Sequence, residues 1–167
     1  HGDDRSAPLD VTARPADGGP GAVVNESTGA ARREPEGTRP LHLEVLIPTL
    51  RRPELLRGTL TSLSRAEPPR RLRVSVIVVN NDVTPDVPGL DSILATMPFP
   101  TRVLHEPQSG KSVALNSGIA SSTADYIAFL DDDEEVSPTW LRILESVLET
   151  GDVDFVGGRT VALSSVT

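Results

Sequence analysis

The sequence predicts an α/β domain, a mostly parallel sheet with helices on both faces. Three observations predict it. From Leu41 onward, short Val-, Ile- and Leu-rich runs alternate with helical stretches, the pattern of strand–crossover–strand units. Val76-Ile77-Val78-Val79 is apolar at consecutive positions, as in a strand covered on both faces. The polar, glycine-containing and acidic residues gather in the segments after the apolar runs, where open parallel sheets bind ligands.

Residues 1–40 come before this pattern. They hold six Gly, five Pro and no aromatic residue, and their only large aliphatics are Leu9, Val11, Val23 and Val24. So little apolar surface does not offset the ordering entropy, and the stretch reads as a disordered leader. The predicted elements then follow in order. Leu41 to Ile47 is a first strand ending at Pro48-Thr49. Pro53 to Leu63 is a helix, with Pro53 at a first-turn position where its missing N–H costs nothing and Leu56, Leu60 and Leu63 on one stripe. Leu72 to Val79 is the second strand, and Val87 to Ala95 a short helix after a turn-rich loop. Thr101 to Leu104 is the third strand. Lys111 to Ala120 is a helix broken near Gly118, and Asp125 to Leu130 is the fourth strand. Ser137 is expected to cap a helix from Pro138 to Glu149, with Trp140 on its apolar side. Val153 to Val156 is a fifth strand, after which the chain stops at Thr167.

Composition narrows the function classes. Lys and Arg number 16 against 24 Asp and Glu, a net charge of −8. A nucleic-acid binder would be basic, so no nucleic-acid partner is expected. Cysteine is absent, which excludes thiolate metal sites and thiol nucleophiles. No apolar run approaches the ~20 residues of a membrane-spanning helix, no signal-peptide pattern is present, and a cytoplasmic location is expected. His42 and His105 lack metal-ligand spacing.

Two loops carry chemistry. Asp131, Asp132, Asp133, Glu134 and Glu135 follow the fourth strand without interruption. At ~6 Å, neighbouring carboxylates repel by roughly 0.7–3 kcal/mol per pair, which a chain tolerates where positive charge sits. With the backbone extended past Leu130, Asp131 and Asp133 would point to one side and Asp132 to the other. Two such carboxylates suit a hard divalent cation with oxygen ligands, Mg²⁺ or Mn²⁺. A solvated acidic turn ahead of the next helix explains the same run. The second loop is Gln108-Ser109-Gly110-Lys111-Ser112, between a strand and a helix, and Lys111 is the only lysine in the chain. Backbone N–H groups and a mobile ammonium at a helix start favour phosphate. An ordinary loop with a surface lysine is the plainer explanation.

A P-loop nucleoside triphosphatase is one way to combine these loops, with Gly110-Lys111-Ser112 as the end of the phosphate loop and Asp131 after the second motif strand. The required first glycine is His105 here, followed by Glu106 and Pro107, so the match fails where phosphate should nest. The whole pattern instead resembles the family 2 glycosyltransferases of GT-A fold. The resemblance rests on five ordered pieces across residues 41–161: Leu43 to Thr49, Val76 to Asp82, Gly110 to Ile119, Tyr126 to Asp133, and Pro138 to Leu141.

The resemblance implies a nucleoside-diphosphate sugar donor, a bound Mn²⁺ or Mg²⁺ and an inverting transfer to an acceptor hydroxyl, the acceptor being unspecified. It implies that Pro48 and Thr49 contact base and ribose, that the loop holding Asn80 and Asp82 binds the base, and that Lys111 lies near the diphosphate. Asp131 and Asp132 would belong to the donor site, and Asp133, with Asp131, would hold the metal. Asn80 stands where the family usually has Asp, which puts the base preference in doubt. The general base is expected beyond Thr167, so residues 41–167 read as the nucleotide-sugar-binding half of a GT-A domain truncated at its carboxyl end. A non-catalytic nucleotide- or metal-binding module is the alternative from another class.

Overall fold

A computed structural model describes residues 39–151 and 154–158. The elements are β1 (Leu41–Thr49), α1 (Pro53–Ser64), β2 (Leu72–Asn80), α2 (Leu90–Leu94), β3 (Thr101–His105), α3 (Lys111–Ser121), β4 (Tyr126–Phe129) and α4 (Trp140–Leu148). The strands form one sheet in the order β3-β2-β1-β4, and every pairing is parallel. β1 lies in full register with β2, from Leu41 opposite Leu72 to Thr49 opposite Asn80. Residues 1–38 of the predicted leader lie outside the described residues, whereas its last two, Arg39 and Pro40, are described.

Alternating side chains on β1 and β2 divide the core. Leu43, Val45 and Ile47, with Val74, Val76 and Val78, pack against Leu56, Leu60 and Leu63 of α1, Leu90 of α2, and Leu141 and Leu148 of α4. Leu46, Ile77 and Val79 face the other way, against Ala114 of α3. Each fully buried aliphatic side chain contributes ~1.5–3 kcal/mol, so both faces are held and the expected double-sided cover is present. Among the described residues no helix is long and apolar enough to cross a membrane.

Three local expectations are corrected. α3 is not broken at Gly118 but runs through it. A Cβ there would collide with Leu46 and come within 3.2 Å of Val79 Cγ2, so the glycine lets the helix lie close on the sheet, and this contact outweighs its propensity cost of ~1 kcal/mol. Ser137 does not cap α4. The cap position is Thr139, without a side-chain cap bond, and the Ser137 carbonyl accepts the Trp140 N–H at 3.0 Å, so Pro138 and Thr139 form a turn ahead of the helix. The fifth strand is absent over residues 154–158, while Val153 lies outside the described residues. No described strand pairs with this segment, and Phe155 is 87% exposed.

Polar groups tie the sheet together at the amino-terminal ends of its strands. Asp125 accepts the His42 N–H at 2.9 Å and a two-pronged contact from Arg39. His42 sits between Arg73, which donates to Nδ1 at 2.9 Å, and Ser75, 2.7 Å from Nε2. Because guanidinium only donates, Nδ1 is the unprotonated nitrogen. Glu44 is buried, and burial pushes its carboxyl up. Hydrogen bonds from Ser122, Arg102 and Ser75 and the Arg102 charge outweigh that and leave it below the usual range.

Candidate functional site

The strand order creates the site. The chain leaves β1 through α1 on one face to reach β2, and leaves β3 through α3 on the other face to reach β4. α1 and α3 therefore leave the sheet on opposite faces, and the loops at the carboxyl ends of β1 and β4, neighbours in the sheet, border a crevice together with the start of α3, the kind of switch point where open α/β sheets bind ligands. A cleft of ≈ 300 Å³ lies there, at the lower end of small-molecule sites. Its walls include Pro48, Thr49, Leu50, Arg52, Asn81, Gly110, Lys111 and all three of Asp131, Asp132 and Asp133.

The acidic run folds differently from an extended continuation of the strand. β4 ends at Phe129, and the Glu134 N–H returns to the Asp131 carbonyl at 3.2 Å. This turn separates the carboxylates. Asp131 pairs with Lys111, Nζ to Oδ1 2.6 Å. Asp132 turns inward, is 6% exposed and accepts the Thr49 hydroxyl at 2.8 Å. Asp133 stays half exposed, and Arg52 stands between it and Asp132, at 3.5 and 3.6 Å. The turn is braced from α1, where Ser62 Oγ accepts the Val136 N–H at 3.0 Å. The alternating-sides expectation for Asp131, Asp132 and Asp133 is thus replaced by a turn in which all three face the cleft.

The loop after β2 is organised by pairs of neighbours with different tasks. Asn80 is buried, and its amide donates to the carbonyls of Thr84 and Pro85 at 2.9 and 3.1 Å, so it braces its own loop and does not line the cleft. Asn81 does line it. Its amide donates to the Glu106 and Gln108 carbonyls at 2.9 and 2.7 Å, and its Oδ1 accepts the Gly110 N–H at 2.9 Å. Asn81 therefore fixes the loop that delivers Lys111. It also occupies the Gly110 N–H, a donor that a phosphate loop would present to phosphate. Asn81 was missed in the sequence. Its one signal is a second amide side chain directly after a buried strand.

Asp82 lies outside the cleft walls and is engaged by Arg51 through a two-pronged contact at 2.8 and 2.9 Å. The hydrogen bond from the Arg51 guanidinium, helped by the Val83 N–H and opposed by burial, lowers its carboxyl to about 2. Arg51 has φ 54, a left-handed conformation uncommon outside glycine. At this kink the two adjacent arginines part, Arg51 to the β2 loop and Arg52 to the acidic turn.

The cleft thus sets two cations, Arg52 and Lys111, against three carboxylates. Its donor set fits a hard divalent ion. Asp131 and Asp133 offer carboxylate oxygens beside the cleft, and among the described residues no group of three or more His, Asp or Glu could hold a metal ion by itself, so an ion there would rest on one or two carboxylates. Mg²⁺-like ions are held by one or two carboxylates with the remaining positions taken by water and phosphate.

Comparison with known proteins decides the family. Residues 44–167 match the model of Glycosyl transferase family 2. The chain belongs to that family. Within it, the chain is 43% identical over 119 residues to the succinoglycan biosynthesis protein ExoM of Rhizobium meliloti, a match covering 70% of this chain and 38% of ExoM. The family 2 domain described here is also similar to two solved GT-A structures. One is residues 1–349 of S. aureus TarS in complex with UDP, with TM-score 0.58 and 17% identity over 74% of this chain and 39% of that one. The other is the mannosyltransferase PcManGT from Pyrobaculum calidifontis with GDP-Man and Mn²⁺, with TM-score 0.52 and 21% identity over 72% and 34%. At these identities the structural likeness establishes the fold, and the chain spans less than half the length of each.

Proposed function

We propose that this chain is the donor-binding part of a glycosyltransferase that takes a nucleoside-diphosphate sugar together with Mn²⁺ or Mg²⁺, and that the complete enzyme transfers the sugar to an acceptor hydroxyl with inversion. One observation carries the reading. The three consecutive carboxylates and the only lysine of a family 2 chain converge on the end of β1 at the switch point. The neighbours seen with UDP and with GDP-Man and Mn²⁺ support the donor class. A cytoplasmic setting is part of the same proposal.

In this reading each residue has a task that follows from its place. Pro48 and Thr49, at the end of β1, shape the base and ribose end. Asn80 and Asp82 act there indirectly, by holding the β2 loop and Arg51. Lys111, at the start of α3, exchanges its contact with Asp131 for the diphosphate, which the helix amino terminus also favours. Asp132, fixed by Thr49, keeps the turn in place. Asp131 and Asp133 hold the divalent ion, which, when bound, supplies the positive charge that offsets the leaving nucleoside diphosphate. The general base for the acceptor is assigned to sequence beyond Thr167. Calorimetric titration with UDP, GDP and dTDP, with and without Mn²⁺, tests the reading. Metal-dependent binding of one nucleotide, abolished in Asp133→Ala, is the expected result. Binding indifferent to Mn²⁺ and to Asp133 refutes it. Because the chain covers 38% of ExoM, binding without transfer is the second reading. Sugar transfer from a donor to any acceptor by the chain extended past Thr167 excludes it.

A further inference from the structure

Arg51 and Arg52 are neighbours in sequence, yet their ion pairs are of different kinds. Arg51 meets Asp82 in a bidentate contact at 2.8 and 2.9 Å, the geometry of a strong, directional pair. Arg52 stands 3.6 Å from Asp132 Oδ1 and 3.5 Å from Asp133 Oδ2. Both distances exceed a hydrogen bond, so charge alone holds it there. Its side chain is 55% exposed, and leaving this position breaks no directional contact. Asp132 keeps its Thr49 hydrogen bond when Arg52 leaves. Asp133, by contrast, has Arg52 as its ion-pair partner among the described residues.

We propose that Arg52 is an exchangeable counter-cation for the acidic turn: it neutralises Asp132 and Asp133 while no metal is held, competes with a divalent ion for them, and withdraws when that ion binds. The proposal rests on the reading that a divalent ion accompanies the donor. Its physical basis is the charge in the cleft. Arg52 and Lys111 leave the three carboxylates one charge short of neutral, so the turn stays together without metal although it is made of like charges. A divalent ion at Asp133 would face the guanidinium at close range, and their repulsion drives the exchange. Arg52 is therefore a positioning residue that lowers the affinity for free metal, making the site hold metal firmly only when the donor's phosphates add their own ligands.

The test is Mn²⁺ binding to the chain without nucleotide, followed by calorimetry or by the loss of the free-ion paramagnetic resonance signal. Arg52→Gln is expected to bind Mn²⁺ roughly two- to fivefold more tightly than wild type, the fold-change that corresponds to giving up an exposed ion pair. Arg52→Lys, which keeps the charge, is expected to stay close to wild type. Arg71→Gln removes an equal charge at the start of β2, far along the strand from the cleft, and is expected to change little. A merely structural role for Arg52 predicts the opposite sign, since loosening the turn weakens metal binding. Unchanged or weaker Mn²⁺ binding by Arg52→Gln overturns the proposal and leaves the donor reading intact. Tighter Mn²⁺ binding by Arg52→Gln, with no binding of UDP, GDP or dTDP under any condition, supports the counter-cation role and refutes the donor reading. If neither wild type nor Arg52→Gln binds Mn²⁺, both fall.

Discussion

Asn81 tests how the site is built, because its replacement by Asp changes one atom group and keeps the shape. The wild-type amide donates to the carbonyls of Glu106 and Gln108 and accepts from Gly110 N–H, and the residue is 4% exposed. In Asn81→Asp the accepting oxygen survives, but an ionised carboxylate turns a second oxygen toward the two carbonyls that had received N–H bonds. Leaving a buried acceptor without its donor costs ~1–3 kcal/mol. The charge penalty has a ceiling, because the group can take a proton instead. For a carboxyl of ordinary pKa near 3.9, protonation at pH 7 costs about 4 kcal/mol. With two carbonyls left unpaired by the ionised form, and one by the protonated form, the expected loss of stability at pH 7 lies between about 2 kcal/mol and a ceiling of about 5–7 kcal/mol. The introduced carboxyl has a raised folded-state pKa, so its penalty is complete at high pH and shrinks as pH falls. Urea denaturation of wild type, Asn81→Asp and Asn81→Ala at pH 7 and pH 5 measures this. Asn81→Ala loses the same bonds without a charge and should show a loss that differs little between the two pH values. An Asn81→Asp variant within about 1 kcal/mol of wild type at pH 7, or one whose deficit grows on acidification, refutes the reasoning.

Gly118→Val should destabilise the fold by roughly 1–3 kcal/mol through overpacking, since even a Cβ collides with Leu46 on the sheet. Equilibrium unfolding reads the loss, and a variant as stable as wild type would show that α3 has room to lift. His42 is held below its ordinary pKa by burial and by the Arg73 charge, against the pull of Glu44 and Asp125. Its contribution to stability is thus present above the unfolded value near 6.5 and lost as pH falls from there toward the folded value. Wild type should lose thermal stability over that window, and His42→Gln, which can still accept from Arg73 and donate to Ser75, should lose less. Equal slopes for the two proteins would exclude His42 as the cause.

Much of the frame was legible because burial leaves a pattern in sequence. The runs around Val45 and Val76 are apolar at successive positions, and they became central strands. Leu56, Leu60 and Leu63 share a helical stripe, and all three are buried in the core. The errors arose where a local rule competes with packing. Gly118 weakens an isolated helix but allows α3 to meet Leu46 and Val79 closely. Asp131 to Asp133 were placed by strand alternation, a rule that ceases to apply where the Glu134 N–H closes a turn on the Asp131 carbonyl. Asn80 and Asn81 cannot be ranked from composition, because they are chemically identical and differ only in which face of the strand end each amide leaves.

By itself the sequence determined the parallel α/β class, the loops that carry chemistry and the family resemblance, since periodicity, loop position and ordered motifs are properties of neighbours along the chain. The tertiary structure alone decided which charges meet. It set β1 between β2 and β4, brought Lys111 onto Asp131 and Thr49 onto Asp132, and sent Arg51 and Arg52 to opposite loops. Those pairings join residues 20 to more than 80 positions apart, and a contact over such a separation is set by strand order and helix packing, which no local pattern encodes.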